Sequence, residues 1–202
     1  MSYTDHGNLL SYLDQNINKL TWNIKLKCLW NIICDLHDIH HAGLVHCDIH
    51  DGNIILHNYG DDISDTDLSI CDLGLSRSVN SRQQKSIVQS GLPFIAPEVF
   101  HTRRFTQKSD IYSFGIIMYL MATGEPPFRG REFDGSLICD IMDGLRPTMP
   151  DSTPGEYKKL AEQCCDADPD KRPHLEEIDK NINEMLCYGR LSINPDGLFL
   201  PI

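Results

Sequence analysis

Residues 46–56 read His46-Cys-Asp-Ile-His-Asp-Gly-Asn53-Ile-Ile-Leu56, a polar loop that runs directly into a short apolar segment. A second apolar pair, Leu44-Val45, precedes the loop, and runs of this length are typical of short strands. Asp72 follows another short apolar run, 24 residues after Asp48. The pattern predicts that charged and amide side chains emerge together from the ends of short strands.

Two carboxylates and an amide on such loops can converge on one point. Phosphoryl transfer uses a set of this kind, with one carboxylate near the attacking hydroxyl and a second carboxylate and an amide oxygen on Mg²⁺. The order and spacing of Asp48, Asn53 and Asp72 therefore point to phosphate chemistry. The alternative interpretation is ordinary turn chemistry, because Asp and Asn are common in loops.

The rest of the chain is predicted to be mostly helical. Apolar residues at spacings of three and four predict a helix from Thr21 to about His41, which Gly43 ends. A short amphipathic stretch precedes it, and two later helical segments lie near Tyr157–Cys165 and Leu175–Leu186. We therefore expect a mainly α fold.

A further segment, Ser109 to Thr123, is apolar on nearly every face, which indicates a buried helix. Ser109-Asp110 is its expected cap and Gly124 its expected end. The strand candidates, among them Leu68–Cys71, are short, so they predict small β-hairpin ladders rather than a large sheet. The polar stretch Ser76–Gln89 is predicted to be a surface loop.

Composition excludes several classes of function. The 202 residues are 41% hydrophobic, which is enough to bury a core, and their net charge of 18 − 29 = −11 argues against nucleic acid or an anionic membrane as the main partner. No apolar run reaches about 18 residues, as a membrane helix would require. Eight cysteines without a C-x-x-C pair, mostly inside apolar runs, indicate reduced and buried thiols. These features favour a cytoplasmic or nuclear protein.

Six motifs in order make the chain resemble the eukaryotic protein kinases, and the resemblance covers about residues 1 to 187. The first resembles the catalytic loop H-R-D-L-K-x-x-N, the second D-F-G and the third A-P-E. The six are His46–Asn53, Asp72–Gly74, Ala96–Glu98, Asp110–Gly115, Gly124–Phe128 and Asp168–Pro173. Leu92–Glu98 and Gly144–Pro147 are similar to the tyrosine-kinase-like Ser/Thr kinases.

The resemblance implies a protein kinase-like C-lobe with the hinge over residues 1–187 and a tail over residues 188–202. It implies an ATP-dependent enzyme, of Ser/Thr or Tyr type, that transfers the γ-phosphate to protein hydroxyls with Mg²⁺. Asp48 would orient the acceptor hydroxyl and accept its proton, and His50 would stand in for the lysine of the catalytic loop. Asn53 and Asp72 would hold Mg²⁺.

The same resemblance assigns the nucleotide contacts and the structural residues. Hinge-like Tyr3 and the following Asn8 would contact ATP, and Ile55 would form the floor of the adenine pocket. The remaining three positions are structural. They are Asp110, which would brace the catalytic loop, and the pair Glu98 and Arg172, which would form a buried ion pair.

Departures from the family pattern limit what the resemblance implies. The 202 residues contain no glycine-rich loop, no V-A-I-K lysine and no helix-C glutamate, so we expect that the N-lobe is missing and that the fragment is inactive alone. The surface that would face the N-lobe would then be available to a partner. Cys47 replaces the arginine that receives an activation-loop phosphate, and Gly91 replaces a threonine near the substrate.

Two other functions remain open. The first is a non-catalytic, pseudokinase-like interaction module. The second is a small-molecule phosphotransferase of the choline or aminoglycoside type, since those enzymes resemble the loop H-G-D-x-H-x-G-N with a histidine where His50 stands. Separately, His37, His40 and His41 have the spacing of metal ligands, but a solvated helix end is the favoured interpretation.

Overall fold

The computed structural model describes residues 8–58, 63–79 and 89–191, and helices dominate these ranges. The α-helices are α1 (Leu9–Asn16), α2 (Trp22–His41), α3 (Pro97–Thr102), α4 (Gln107–Thr123), α5 (Gly135–Met142), α6 (Gly155–Cys164) and α7 (Leu175–Leu191). The strands are β1 (Leu44–Val45), β2 (Ile54–Asn58), β3 (Thr66–Ile70) and β4 (Arg77–Ser78). The predicted mainly α fold with short β-hairpins is confirmed.

Helix α2 follows its predicted bounds closely. The side-chain oxygen of Thr21 accepts a hydrogen bond from the N–H of Ile24 at 3.4 Å, which caps the first turn. The apolar stripe is buried against the core, and Gly43 takes a left-handed φ of +72° just after the helix. Periodicity and end signals were therefore sufficient to place this helix.

Helix α4 is buried on every side, as expected, but it begins earlier than predicted. Thr106 is the N-cap and accepts from the N–H of Ser109 at 3.2 Å, while the Ser109 hydroxyl accepts from the N–H of Thr106 at 2.9 Å. Ser109 is thus the third residue of the helix, and its assignment as the cap was wrong. Gly124 ends α4 with φ +70°. Among the described helices, none combines the length and the apolar character needed to cross a bilayer.

The strands form two separate antiparallel pairs. Strand β2 pairs with β3, with Ile54 opposite Ile70, and β1 pairs with β4, with Leu44 opposite Ser78. The expected small ladders are therefore confirmed. Strand β4 lies inside the stretch predicted to be a loop, because the backbone of β1 offers it partners that its own polar sequence does not reveal. Residues 80–88 of that stretch lie outside the described ranges.

Two helices, α3 and α5, have no counterpart in the sequence prediction. Helix α5 is capped by Asp134, whose carboxylate accepts from the N–H groups of Ser136 and Leu137 at 3.0 and 3.1 Å. Its buried residues Leu137 and Ile141 pack beside α3 in a small satellite cluster. The cap and this spacing were legible in the sequence, but helices of eight residues or fewer produce a weak periodic signal.

Glycine and cysteine allow α4 and α6 to approach closely. A Cβ at Gly115 would lie 2.6 Å from the sulfur of Cys165 and 2.8 Å from the Cβ of Cys164. All eight cysteines are free thiols, which agrees with the prediction of reduced cysteines. Cys139 and Cys187 are exposed, so the expectation of burial was wrong for those two.

Candidate active site

A buried carboxylate holds the backbone of the loop that joins β1 to β2. Asp110, in the first turn of α4, is 1% exposed. Its Oδ2 accepts from the N–H of His46 at 2.8 Å, and its Oδ1 accepts from the N–H of Cys47 at 3.0 Å. Cys47 has a left-handed φ of +69°, a conformation that non-glycine residues adopt only where surrounding contacts enforce it. The position proposed for Asp110 as a brace therefore has the geometry of one.

His40 completes this brace, although the sequence interpretation had left it in solvent. Its Nε2 lies 2.9 Å from Oδ2 of Asp110, and its side chain is nearly buried. His37 and His41 are exposed, and their rings stack with centroids 6.2 Å apart, so the solvated interpretation was right for them. The missed signal was that His40 continues the apolar stripe of α2. No group of three or more histidine, cysteine or acidic residues in the described ranges is arranged to hold a metal ion.

The buried side chain of His46 joins the loop to the chain segment that precedes Asp72. Its Nδ1 accepts from the N–H of Asp48 at 3.3 Å, and its Nε2 lies 3.1 Å from the carbonyl oxygen of Cys71. Because that carbonyl can only accept, the hydrogen-bond network assigns the ring proton to Nε2. One imidazole thus sets the distance between two segments that carry candidate catalytic groups.

Asn53 and Asp48 are held together inside the loop. The Asn53 amide nitrogen donates to the carbonyl oxygen of Asp48 at 2.8 Å and to its Oδ2 at 3.2 Å. These bonds direct the amide nitrogen toward Asp48 and the amide oxygen away from it. Asn53 is only 9% exposed, so its orientation is set by the protein rather than by solvent.

His50 lies beside Asp48 with a defined tautomer. Its Nδ1 accepts from the N–H of Gly52 at 3.0 Å, which places the proton of the neutral ring on Nε2, 3.8 Å from Oδ2 of Asp48. A Cβ at Gly52 would lie 2.8 Å from Cε1 of His50, so a side chain there would displace the ring. A Cβ at Gly91 would come within 3.8 Å of Asp48 and 3.9 Å of His50, which places that segment over both.

Asp72 lies next to this group on a strained turn. It adopts φ +61° and ψ +68°, and its Oδ1 accepts from the N–H of Gly74 at 3.1 Å. The carbonyl oxygen of Asn53 accepts from the N–H of Cys71 at 2.9 Å, so the two candidate metal ligands stand on directly bonded segments. An amide oxygen and a carboxylate suit Mg²⁺, which commonly takes one or two protein ligands and fills its sphere with phosphates and water.

The three residues assigned to nucleotide binding lie in different surroundings. Tyr3 lies outside the described residues. Asn8 caps α1 by accepting from the N–H of Ser11 at 3.0 Å, and its amide nitrogen lies 3.4 Å from Oδ2 of Asp51. Ile55 is half-buried on the face of β2 that points away from the core. Burial raises the pKa of the Asp51 carboxyl.

Glu98 and Arg172 form the ion pair that the family resemblance implies. The two guanidinium nitrogens of Arg172 donate to the two carboxylate oxygens at 2.8 and 2.6 Å. Arg172 also donates to the carbonyl oxygens of Asp166 and Lys108 at 2.9 and 2.8 Å. The guanidinium lies 5.2 Å from the ring centre of Tyr112. This 1% exposed side chain therefore connects α3, α4 and the segment before α7.

Comparison with known proteins shows which family the chain is similar to. The profile of the protein tyrosine and serine/threonine kinase family matches residues 1–182. A protein of Acanthamoeba polyphaga mimivirus, named as a serine/threonine-protein kinase/receptor, is 33% identical over 179 residues, which cover 85% of this chain and 10% of that protein. The serine/threonine-protein kinase roco8 of Dictyostelium discoideum is 32% identical over 192 residues, or 92% of this chain and 10% of its own.

A third relative is a mitogen-activated protein kinase kinase kinase 7-like protein of Drosophila melanogaster. It is 31% identical over 200 residues, which cover 94% of this chain and 49% of that protein. The chain thus spans about a tenth of the length of the first two relatives and about half of the third.

Proposed function

This chain belongs to the protein tyrosine and serine/threonine kinase family, and from that premise we propose that its site takes part in transferring the γ-phosphate of Mg-ATP to a hydroxyl group of a protein. One observation carries the proposal most directly. Asn53 donates to Asp48 through its side chain and accepts from Cys71 through its carbonyl, one residue before Asp72. In the proposal Asp48 is the carboxylate on the acceptor side and Asn53 and Asp72 supply oxygen ligands for a cation, and these hydrogen bonds connect their segments.

Asp48 is the group that would act on the acceptor. Its backbone is held through His46 and Asp110, and its carboxylate is held by Asn53, so it is oriented before any substrate arrives. In the proposed reaction the acceptor hydroxyl donates to this carboxylate and its proton passes there as the phosphoryl group is transferred. Preorganisation of this kind is where a protein contributes most to phosphoryl transfer.

His50 would serve the same reaction as a hydrogen-bond donor. Because its Nδ1 accepts from Gly52, the Nε2–H faces Asp48 and can donate either to that carboxylate or to a phosphate oxygen. Asn53 and Asp72 would hold Mg²⁺, which supplies positive charge against the phosphates when it is bound.

The cationic side of the nucleotide site is proposed to come from outside these 202 residues. Neither a glycine-rich phosphate loop nor a V-A-I-K lysine occurs in the sequence, and the net charge is −11. Such a chain offers little attraction to ATP beyond its metal ligands. We expect the purified 202-residue chain to bind Mg-ATP with a Kd of about 1 mM or weaker, and to transfer no phosphate until another segment or protein supplies the missing contacts.

Titration of the labelled chain with Mg-ATP by NMR tests the proposal. The expected result is saturable shifts around residues 53 and 71–74 that disappear in Asp72→Asn and persist in Asp143→Asn, an exposed acidic residue of another segment. Binding that ignores Asp72, or no binding at all, would contradict the phosphotransfer assignment.

A radiolabel assay separates the two parts of the proposal. A generic protein acceptor, choline and an aminoglycoside are each offered with Mg-ATP. Background transfer to all three is expected from the chain alone. Rapid labelling of the protein acceptor that is lost in Asp48→Ala would support phosphotransfer but overturn the need for a further cationic segment. Selective labelling of either small molecule would overturn the assignment to protein substrates.

Non-catalytic partner binding is the second candidate function. It is favoured by Cys47 and His50, which stand where the family pattern has arginine and lysine, while the structural residues Asp110, Glu98 and Arg172 keep their contacts. A module of this kind would show the same thermal unfolding midpoint with and without Mg-ATP. The phosphotransfer proposal expects a nucleotide-dependent rise in that midpoint at millimolar concentrations.

A further inference from the structure

A cavity lies between α4, α6 and the segment that joins α5 to α6, away from the candidate active site. It has a volume of about 300 Å³, at the small end of the range for small-molecule sites, which is about 300–1,000 Å³. No candidate catalytic residue lines it. The side chains that matter for its chemistry are Tyr119, Arg146, Pro147, Met149, Lys158 and Glu162. The cavity therefore suits a small ligand that is separate from the nucleotide.

The walls of the cavity offer apolar surface that remains in contact with solvent. Tyr119, Pro147 and Met149 line it and are half-buried, so part of each side chain is still accessible. A tyrosine ring and a thioether sulfur both make favourable contacts with aromatic groups. Such contacts supply most of the surface in small-molecule sites, and a few placed polar groups fix the orientation. The walls therefore favour a ligand with a compact aromatic body.

One polar group of the lining is a guanidinium that the fold holds in place. Nε of Arg146 donates to the carbonyl oxygen of Cys165 at 2.8 Å, and Nη1 donates to those of Ile141 and Leu145 at 2.8 and 2.7 Å. The guanidinium also lies 5.1 Å from the ring centre of Tyr112. Within the described ranges Nη2 makes no hydrogen bond, and it is not buried. Its two N–H groups are therefore positioned by the protein and able to donate to an anion.

A second cation lines the same cavity. Lys158 is half-buried on α6, and its ammonium group has neither an ion pair nor a hydrogen bond with any residue that the structure describes. Glu162 also lines the cavity one turn further along α6, but it is exposed and does not pair with Lys158. Two positive charges and one negative charge thus meet at this cavity, although the whole chain carries −11. A local excess of positive charge beside apolar walls favours a carboxylate as the charged end of the ligand.

We propose that this cavity binds a small aromatic carboxylate. Its ring packs against Tyr119, Pro147 and Met149, and its carboxylate accepts hydrogen bonds from Arg146 and Lys158. A carboxylate offers about four acceptor positions, so it can take donors from both residues at once. Charge-assisted hydrogen bonds of this kind are roughly twice as strong as neutral ones. The assignment is independent of the proposed phosphotransfer.

NMR titration with two probes that share a ring and differ in charge tests the proposal. Phenylpropionate is expected to bind the 202-residue chain with a Kd of about 1 mM and to shift the methyl resonance of Met149. Phenylpropanol keeps the ring but lacks the carboxylate, so it should bind about tenfold more weakly. Equal affinity for the two probes, or no shift of Met149 with phenylpropionate, would overturn the proposal.

Three substitutions on α6 locate the binding. Lys158→Gln removes a donor and should weaken phenylpropionate binding about tenfold, whereas Glu162→Gln removes a repulsion and should strengthen it about twofold. Lys159→Gln is the matched control, because it removes the same charge from an exposed neighbour that does not line the cavity. Circular dichroism verifies that each variant keeps its helices. Equal weakening in the two lysine variants would show that only the overall charge matters, and would overturn the assignment of the site.

Discussion

Arg172 and Asp72 are charged side chains of the same framework, yet their surroundings are opposite. Arg172 is 1% exposed, donates four hydrogen bonds and lies against an aromatic ring. Asp72 is exposed, and the contact that orients it comes from Gly74 within its own turn. The chain thus builds the support of the site from its own buried groups. The carboxylate that would bind the metal has few protein contacts, so the bound ligand would supply the rest of its surroundings.

The largest effect is expected at Arg172, the buried member of this comparison. Arg172→Met leaves Glu98 and two carbonyl oxygens without their donor, so we expect the free energy of unfolding to fall by about 3–5 kcal/mol. Urea denaturation followed by circular dichroism measures the loss. Arg129→Met is the matched control, because Arg129 forms an exposed pair with Glu125 of the kind that contributes about 0–1 kcal/mol. Equal losses in the two variants would contradict the contrast.

A smaller effect is expected at Asp110. In Asp110→Asn one carboxylate oxygen becomes an NH₂ group, so the N–H groups of His46 and Cys47 and the ring of His40 can no longer all be satisfied. We expect a loss of about 2 kcal/mol, and faster hydrogen exchange at the amides of residues 46 and 47. Asp14→Asn, on the exposed face of α1, should change neither quantity. Unchanged protection at those two amides would show that the loop is held elsewhere.

The smallest effect is expected at Gly74, which orients the exposed Asp72. A Cβ there would lie 2.8 Å from Oδ1 of Asp72, so Gly74→Ala must displace the carboxylate while the backbone can stay as it is. We expect the affinity for Mg-ATP, measured by NMR titration, to fall about tenfold, or 1.4 kcal/mol, with little change in stability. Gly135→Ala fills open space and serves as the control. A large loss of stability in Gly74→Ala would mean that the Asp72 turn is part of the framework.

Long, strongly patterned elements were predictable from the sequence, and short ones were not. Helix α2 carries its stripe through 20 residues and both end signals, so its bounds followed from the pattern. Strand β4 has two residues and exists because β1 pairs with it. A local pattern contains no information about such a partner. The start of α4 was misplaced because Thr106 and Ser109 cap each other, and either residue alone is a plausible cap.

For the candidate site too, the sequence predicted some features and could not predict others. Asp48, Asn53 and Asp72 are candidates because of their order in the chain. Their connections did not, because the bond from Asn53 to Asp48 and the accepting Nδ1 of His50 depend on backbone conformation within the loop. His40 was missed for a related reason: a histidine at a helix end is usually solvated, and only the fold brings Asp110 to it.

The thiols differ in chemical reactivity, because two of them lie in the contact of α4 with α6 and others are exposed. Burial raises the pKa of Cys165 to about 12 and raises the pKa of Cys164 well above its usual value, so almost no thiolate forms there at neutral pH. Cys139 and Cys187 are exposed. An alkylating reagent would therefore modify the exposed pair at once and the buried Cys164 only when the two helices separate. The rate of that second modification measures how fast the core opens. Mass spectrometry can follow it without any added probe.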